Sequence, residues 1–164
     1  MPISSSGEKM NSTIYGYKKI QICNKLIEIV IPDEFILVNE NELPEMIKRI
    51  APDDTYFSKN VFLSFKSRKY RSKEVEENLK ELYLAMKTIE HDFNLIGVWK
   101  KEIDGISMGR FCYSAEHMEE NWYHTIITYN LLGRQYYYAF FCLLQERELW
   151  EDVFQKVAGS TEWR

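Results

Sequence analysis

Three histidines, three cysteines and several paired acids are the residues of this chain whose chemistry reaches beyond packing. His117 stands among Glu116, Glu119 and Glu120, and His124 follows seven residues later. Imidazoles and carboxylates together ligate zinc and similar ions. Here no ligand spacing recurs, with His117 read into a loop and His124 into a strand. The pattern predicts a solvated acidic loop and no metal. His91 falls near the end of a helical stretch, where the helix dipole favours positive charge. Cys112 and Cys142 share a strand-rich region with His124, which makes a Cys–His nucleophile conceivable. No orienting carboxylate accompanies them, and thiols buried in strands are inert. Asp53-Asp54 and Glu119-Glu120 fit turn chemistry at least as well as acid–base catalysis. Gly105 and Gly109 stand in a hairpin, so they make no phosphate-cradling loop. The expectation is a protein that is not an enzyme, with no catalytic residue, metal or cofactor.

Aromatic residues are the unusual feature, at 15% with 11 Tyr, 9 Phe and 4 Trp. Tyr136-Tyr137-Tyr138 and Phe140-Phe141 lie within six residues of one another. Such a run is either a central strand packed on both faces or a sticky surface for a partner. A formal net charge of -4 lacks the basic footprint of a nucleic-acid binder. The basic cluster from Lys66 to Lys73, with Arg68, Lys69 and Arg71, reads as a solvated loop ahead of a helix. Three cysteines without short spacing, Cys23 included, argue for a reducing, cytoplasmic setting. No apolar run approaches membrane-spanning length, and Met1 to Thr13 reads as a polar, disordered tail rather than a secretory signal. Residues 14–164 are then one domain.

The elements that must position these residues follow from periodicity. Ile20–Cys23 and Leu26–Ile31 read as a hairpin turning at Asn24-Lys25. Asn41 is read as the cap of a short helix from Glu42 to Ile50, with Pro44 in its first turn. Thr55–Phe57 and Val61–Lys66 form a second hairpin. Val75, Leu79, Leu82, Tyr83, Met86, Ile89 and Phe93 recur at spacings of three and four, which predicts a helix from Ser72 to about His91. Ile96–Ile103 and Ile106–Ser114 join at Asp104-Gly105, and Trp122–Leu131 and Gln135–Leu144 join at Gly133. A last helix runs from Glu146 to about Ala158, with Gly159 as its cap. This order predicts an α+β fold, an antiparallel sheet flanked by helices on both faces.

A two-residue turn at Gly133 puts Tyr123, Thr125, Ile127, Tyr129 and Leu131 on one face with Tyr136, Tyr138, Phe140 and Cys142. The other face carries Trp122, His124, Ile126, Thr128 and Asn130 with Gln135, Tyr137, Ala139 and Phe141. The first is the more apolar and is assigned to the core. The second mixes polar and aromatic groups, and Trp122, His124, Tyr137 and Phe141 are its candidate partner-binding residues.

Ile29-Val30-Ile31-Pro32-Asp33-Glu34-Phe35 resembles the opening of the PsbP-like and DcrB-like proteins. The long amphipathic helix, the hairpin at Ile103-Asp104-Gly105-Ile106, the two long strands and a closing helix with Trp150 resemble the same family. The similarity covers roughly Ile20 to Ala158. It implies an α/β/α sandwich and a protein-binding role. A bacterial branch, the Eag-type effector-associated chaperones, is similar in setting. That branch implies a cytosolic chaperone or adaptor, with an apolar helix of an effector as partner and a possible homodimer. No partner-binding residue carries over one by one. Two other readings remain open. One is an enzyme or small-molecule binder using Trp122, His124 and Tyr137. The other is a structural subunit paired through a sheet edge.

Overall fold

The computed structural model describes residues 16–69 and 74–163. The tail expected over Met1–Thr13 and the helix cap expected at Ser72 lie outside these residues. Among the described residues, ten strands and three α-helices form in the order β1 (Tyr17–Ile22), β2 (Ile27–Pro32), β3 (Ile36–Leu37), α1 (Glu45–Lys48), β4 (Asp54–Ser58), β5 (Val61–Lys69), α2 (Val75–Ile89), β6 (His91–Ile103), β7 (Ile106–His117), β8 (Glu120–Leu131), β9 (Arg134–Leu143), α3 (Arg147–Gly159) and β10 (Glu162–Trp163). Strands β3-β4-β5-β9-β8-β7-β6 make one sheet, and β1-β2-β10 a second. Every described strand pair is antiparallel.

The turn that sets the sheet's faces is Leu132-Gly133, with φ of 51° and 80°. Two left-handed residues in a row are what a tight hairpin asks for, and glycine adopts that conformation freely. The resulting register pairs Tyr129 with Tyr136 and Ile127 with Tyr138. One face of β8 and β9 packs Tyr123, Ile127, Tyr129, Tyr136, Tyr138, Phe140 and Cys142 against α3 and the hairpin β1–β2. From α3 come Trp150, Val153, Phe154 and Val157, and from β1 and β2 Ile22, Ile27, Ile29 and Ile31. The opposite face packs Phe111, Tyr113, Ala115, Ile126, Ala139 and Phe141 against α1 and α2. The aromatic strand is therefore central, buried on both faces.

Several elements differ from the pattern-based expectation, each for a local reason. The first turn is longer, with Cys23, Asn24 and Lys25 all at positive φ. Asn39, not Asn41, supplies the cap oxygen, accepting from Asn41 N over a 3-10 turn at Glu40–Glu42. Helix α1 waits until after Pro44, which has no N–H to donate. Helix α2 starts on a reciprocal capping box between Glu74 and Glu77. It stops at Ile89, because Glu90 is extended and Asp92 has φ of 54°. Phe93 consequently sits in β6, yet its ring still packs on Tyr83 and Tyr113. His91 opens β6 rather than closing the helix, and its Nε2 lies 2.8 Å from Glu116 Oε1. Ser160 rather than Gly159 ends α3, donating from Oγ to Val157 O at 2.7 Å.

The acidic loop expected from Ala115 to Asn121 does not form. Strand β7 runs on to His117 and β8 begins at Glu120. Met118 and Glu119, at φ of 51° and 65°, make the whole turn. Neither is a usual turn residue, so composition concealed it.

Two contacts fix the helices. Gly109 in β7 lets α2 come close, since a Cβ there would stand 2.6 Å from Leu79 Cδ1 and 2.7 Å from Val75 Cγ1. On the other face Glu151 of α3 accepts from Tyr123 OH at 2.7 Å, from Gln155 Nε2 at 3.0 Å and from Arg110. Arg110 Nε also donates to Thr125 Oγ1 at 2.9 Å. Burial works to raise the Glu151 carboxyl, and these donors outweigh it and lower it.

Gly109→Val is expected to lose about 1–3 kcal/mol of stability by overpacking, read from urea unfolding. Glu151→Gln leaves Arg110 poorly paired and is expected to cost about 1–3 kcal/mol at neutral pH. Because the folded carboxyl titrates below its unfolded value, its contribution is complete above the unfolded pKa. It disappears as pH falls through the folded one. The two proteins should therefore converge in stability on acidification, and a constant gap between them would contradict this account.

Candidate functional site

The mixed sheet face is partly roofed. Helix α2 lies over β7 and β8, and Met46 and Ile47 of the single-turn α1 join the same core. Between α2 and strand β5, beside the segment that follows α1, a groove of about 380 Å³ remains. Its floor is Tyr137 and Ala139 of β9 with Ile126 of β8. Glu81, Leu82, Ala85, Met86 and Ile89 of α2 form one wall. Arg49, Lys66 and Arg68 stand along the other.

The cationic wall corrects the reading of the basic cluster as a loop. Lys66, Arg68 and Lys69 belong to strand β5, while Arg71 and Lys73 lie outside the described residues. Lys66 Nζ donates to Ile50 O at 2.8 Å. Arg68 Nε donates to Gln135 Oε1 at 3.1 Å, and its guanidinium lies 5.2 Å over the Tyr137 ring. Both cations are thus held by neutral groups, so their charge stays available to an anion at the groove.

Behind the groove lies a buried polar cluster. Glu90 follows the end of α2 and its carboxylate is fully buried. Arg49 donates to its Oε1, and Tyr113 OH donates to its Oε2 at 2.8 Å. His117 Nε2 lies 3.4 Å from Oε1, and His124 Nδ1 lies 3.8 Å from Oε2. Neither imidazole makes an aligned hydrogen bond through these nitrogens, and His124 Nε2 is also buried without a partner. The two rings stand 5.4 Å apart, and Tyr113 stacks on His124 at 4.4 Å. Burial works to raise the Glu90 carboxyl, yet His117, His124, Tyr113 and Arg49 outweigh it and bring it down to about 2. Burial drives the His124 imidazole down to about 3, against the pull of the Glu90 carboxylate. The cluster holds an ionised carboxylate beside a neutral imidazole at neutral pH.

The four residues picked from the sequence share this face but not one role. Tyr137 floors the groove. His124 and Phe141 are buried behind it, with Phe141 packed edge-on to His124 at 4.7 Å. Trp122 is half-buried against Phe62. Of the four, Tyr137 alone lines the groove, although Trp122 keeps more of its surface exposed. The Cys–His pairing is not formed: Cys112 and Cys142 lie in the core of the opposite face, and Cys112 Sγ donates to Thr125 Oγ1 at 3.2 Å. The paired acids are structural here. Asp53 Oδ2 accepts from Ser67 N at 2.9 Å, and Glu119-Glu120 form and follow a turn. Sequence reasoning missed Glu90, Arg49 and Tyr113, which no short spacing connects. The signal within reach was His117 and His124, which share one face once the Met118-Glu119 turn is recognised.

No family model matches this sequence, and no curated protein matches it. Solved structures do match its shape. Cyanobacterial PsbP (CyanoP) from Synechocystis sp. PCC 6803 superimposes with a TM-score of 0.70 at 16% identity, covering 100% of both chains. The fold is PsbP-like. LpqN of Mycobacterium tuberculosis, involved in cell envelope biogenesis, matches at a TM-score of 0.62 and 11% identity over 98% of each chain. The Saccharomyces cerevisiae Ran-binding protein Mog1p matches at 0.61 and 9% identity, over 91% of this chain and 96% of its own. This PsbP-like chain keeps the antiparallel sheet and two-sided helical cover expected of the resemblance. Among its described residues, no helix is long and apolar enough to cross a membrane.

Proposed function

We propose that this chain is a non-catalytic protein-binding module that takes an apolar segment, flanked by acidic residues, into the groove between α2 and strands β5 and β9. The groove itself carries this reading: a largely apolar floor and wall beside Lys66 and Arg68, whose charges no described carboxylate bonds. Ile89 at its lip is 49% exposed, so the apolar surface continues outward rather than closing over a small ligand. An amphipathic helix would lay its apolar side chains on Tyr137 and Leu82 and its carboxylates toward Lys66 and Arg68. A Ran-binding protein uses the same fold, which supports a recognition role. Three free, buried cysteines suit a reducing, cytoplasmic setting, as a chaperone or adaptor for a secreted or membrane-associated partner requires.

A second surface favours self-association or assembly into a complex. Strand β6 is an edge of the seven-stranded sheet and exposes Leu95, Val98 and Trp99 beside α2, around a cleft of about 400 Å³. An exposed apolar edge strand invites pairing with another strand.

Ala85 is an exposed groove residue, so Ala85→Trp fills the groove without touching the core. Affinity purification from native cells should lose its partner with Ala85→Trp and retain it with Leu84→Trp, an exposed neighbour outside the groove. Equal recovery from both variants would refute groove binding. Light scattering should show a dimer that Val98→Lys converts to monomer, whereas a monomeric wild type would remove the edge-pairing reading.

A further inference from the structure

A buried imidazole with neither nitrogen satisfied needs explaining, because native proteins pair nearly all their buried polar atoms. His124 is 0% exposed, and both its ring nitrogens lack a hydrogen-bond partner. His117 Nε2 is unsatisfied in the same place. Both face the Glu90 carboxylate. One ligand atom from each of Glu90, His117 and His124 lies within 4.8 Å of the other two.

We propose that Glu90, His117 and His124 form a binding site for a divalent ion of the zinc class. Two imidazole nitrogens and one carboxylate oxygen are a zinc donor set that leaves a fourth position free. An ion centred among three atoms at most 4.8 Å apart lies no further than about 2.8 Å from each, against zinc bonds of about 2.0–2.2 Å. Side-chain rotation of well under the length of a bond closes that difference. Tyr113 OH, donating to Glu90 Oε2, is the kind of outer partner that orients a ligating carboxylate. Ala115, small and buried, lies between the two histidines on this face, which leaves their rings room to meet.

The opposing charge is Arg49, which bonds Glu90 Oε1. Its side chain is 27% exposed and it lines the groove, so it has solvent to move into when an ion takes its place. His117, at 17% side-chain exposure, marks the route of access and the place for a fourth, water ligand. Neighbouring His91, Asp92 and Glu116 form a separate, mostly exposed trio that serves as an internal control.

The test is titration of the tag-free, chelator-treated full chain with cobalt(II), then displacement by zinc. Equimolar uptake with the visible bands of four-coordinate cobalt is expected, together with a rise in Tm on adding zinc. His117→Ala and the shape-conserving His117→Gln should each bind at least about tenfold more weakly. His91→Ala should bind as wild type does. Absence of the bands, uptake that survives both His117 variants, or uptake lost in His91→Ala would overturn the proposal.

Discussion

Strict alternation along the β8–β9 hairpin governs the rest of the molecule. Pairing Tyr129 with Tyr136 across a two-residue turn sends every second side chain to each face. With β8 held by β7, a slip of one residue in β9 would place Tyr138 and Phe140 under α2, and Tyr137 and Phe141 under α3. Each helix would then meet the wrong partners. Leu132-Gly133 holds the register by its left-handed backbone, and β5 reinforces it by pairing Phe65 with Tyr138 and Leu63 with Phe140. The aromatic surplus is spent in this way. Phe65, Tyr138 and Phe140 meet one another at 5.2–6.0 Å, most of them edge to face, in the layer beneath α3.

Polar groups divide between the faces by the same rule, and each side solves their burial differently. On the α3 face, Glu151, Arg110, Tyr123 and Thr125 satisfy one another, tying helix to sheet. On the α2 face, Asn78 donates to Asn130 at 2.9 Å, and Gln135 to Thr128 at 3.2 Å. Single atoms such as Asn78 Oδ1 stay unpaired elsewhere, but at the Glu90 cluster a well-supplied carboxylate faces two imidazoles with three nitrogens left without partners. The contrast is within one sheet, so it is a property of the site and not of the fold. Sites that break a local rule are where function is to be sought.

The legible part of the sequence was whatever a period or a strong turn encodes. The stripe from Val75 to Met86 gave α2, and Asp104-Gly105 gave the β6–β7 hairpin, because both signals are local. Both faces of β8 and β9 could be read residue by residue for the same reason. Boundaries failed where backbone conformation, not composition, decides. Met118 and Glu119 turn the chain in left-handed geometry that neither residue advertises, so His117 was read into a loop. That single error hid the candidate site, since it separated two histidines that share a face. Glu90 and Arg49 were beyond reach, because a 41-residue separation leaves no pattern.

The groove follows from a mismatch of widths. Seven strands at about 4.8 Å spacing span roughly 29 Å, whereas one helix with its side chains covers about 10–12 Å. The α3 face is completed by the second sheet, whose Ile22, Ile27, Ile29 and Ile31 join its core. The α2 face has no such addition among the described residues. Helix α1 contributes one turn, cut short by Pro44 before it and by Ala51 at φ of 48° after it. A strip over β5 and β9 is left with Tyr137 and Ala139 beneath it. Water against such a strip is unfavourable, and the cations beside it come from β5 and from the residue that ends α1. The incomplete roof and the charge at its margin therefore arise from the same two short elements, so the opening is built into the topology rather than into any one side chain.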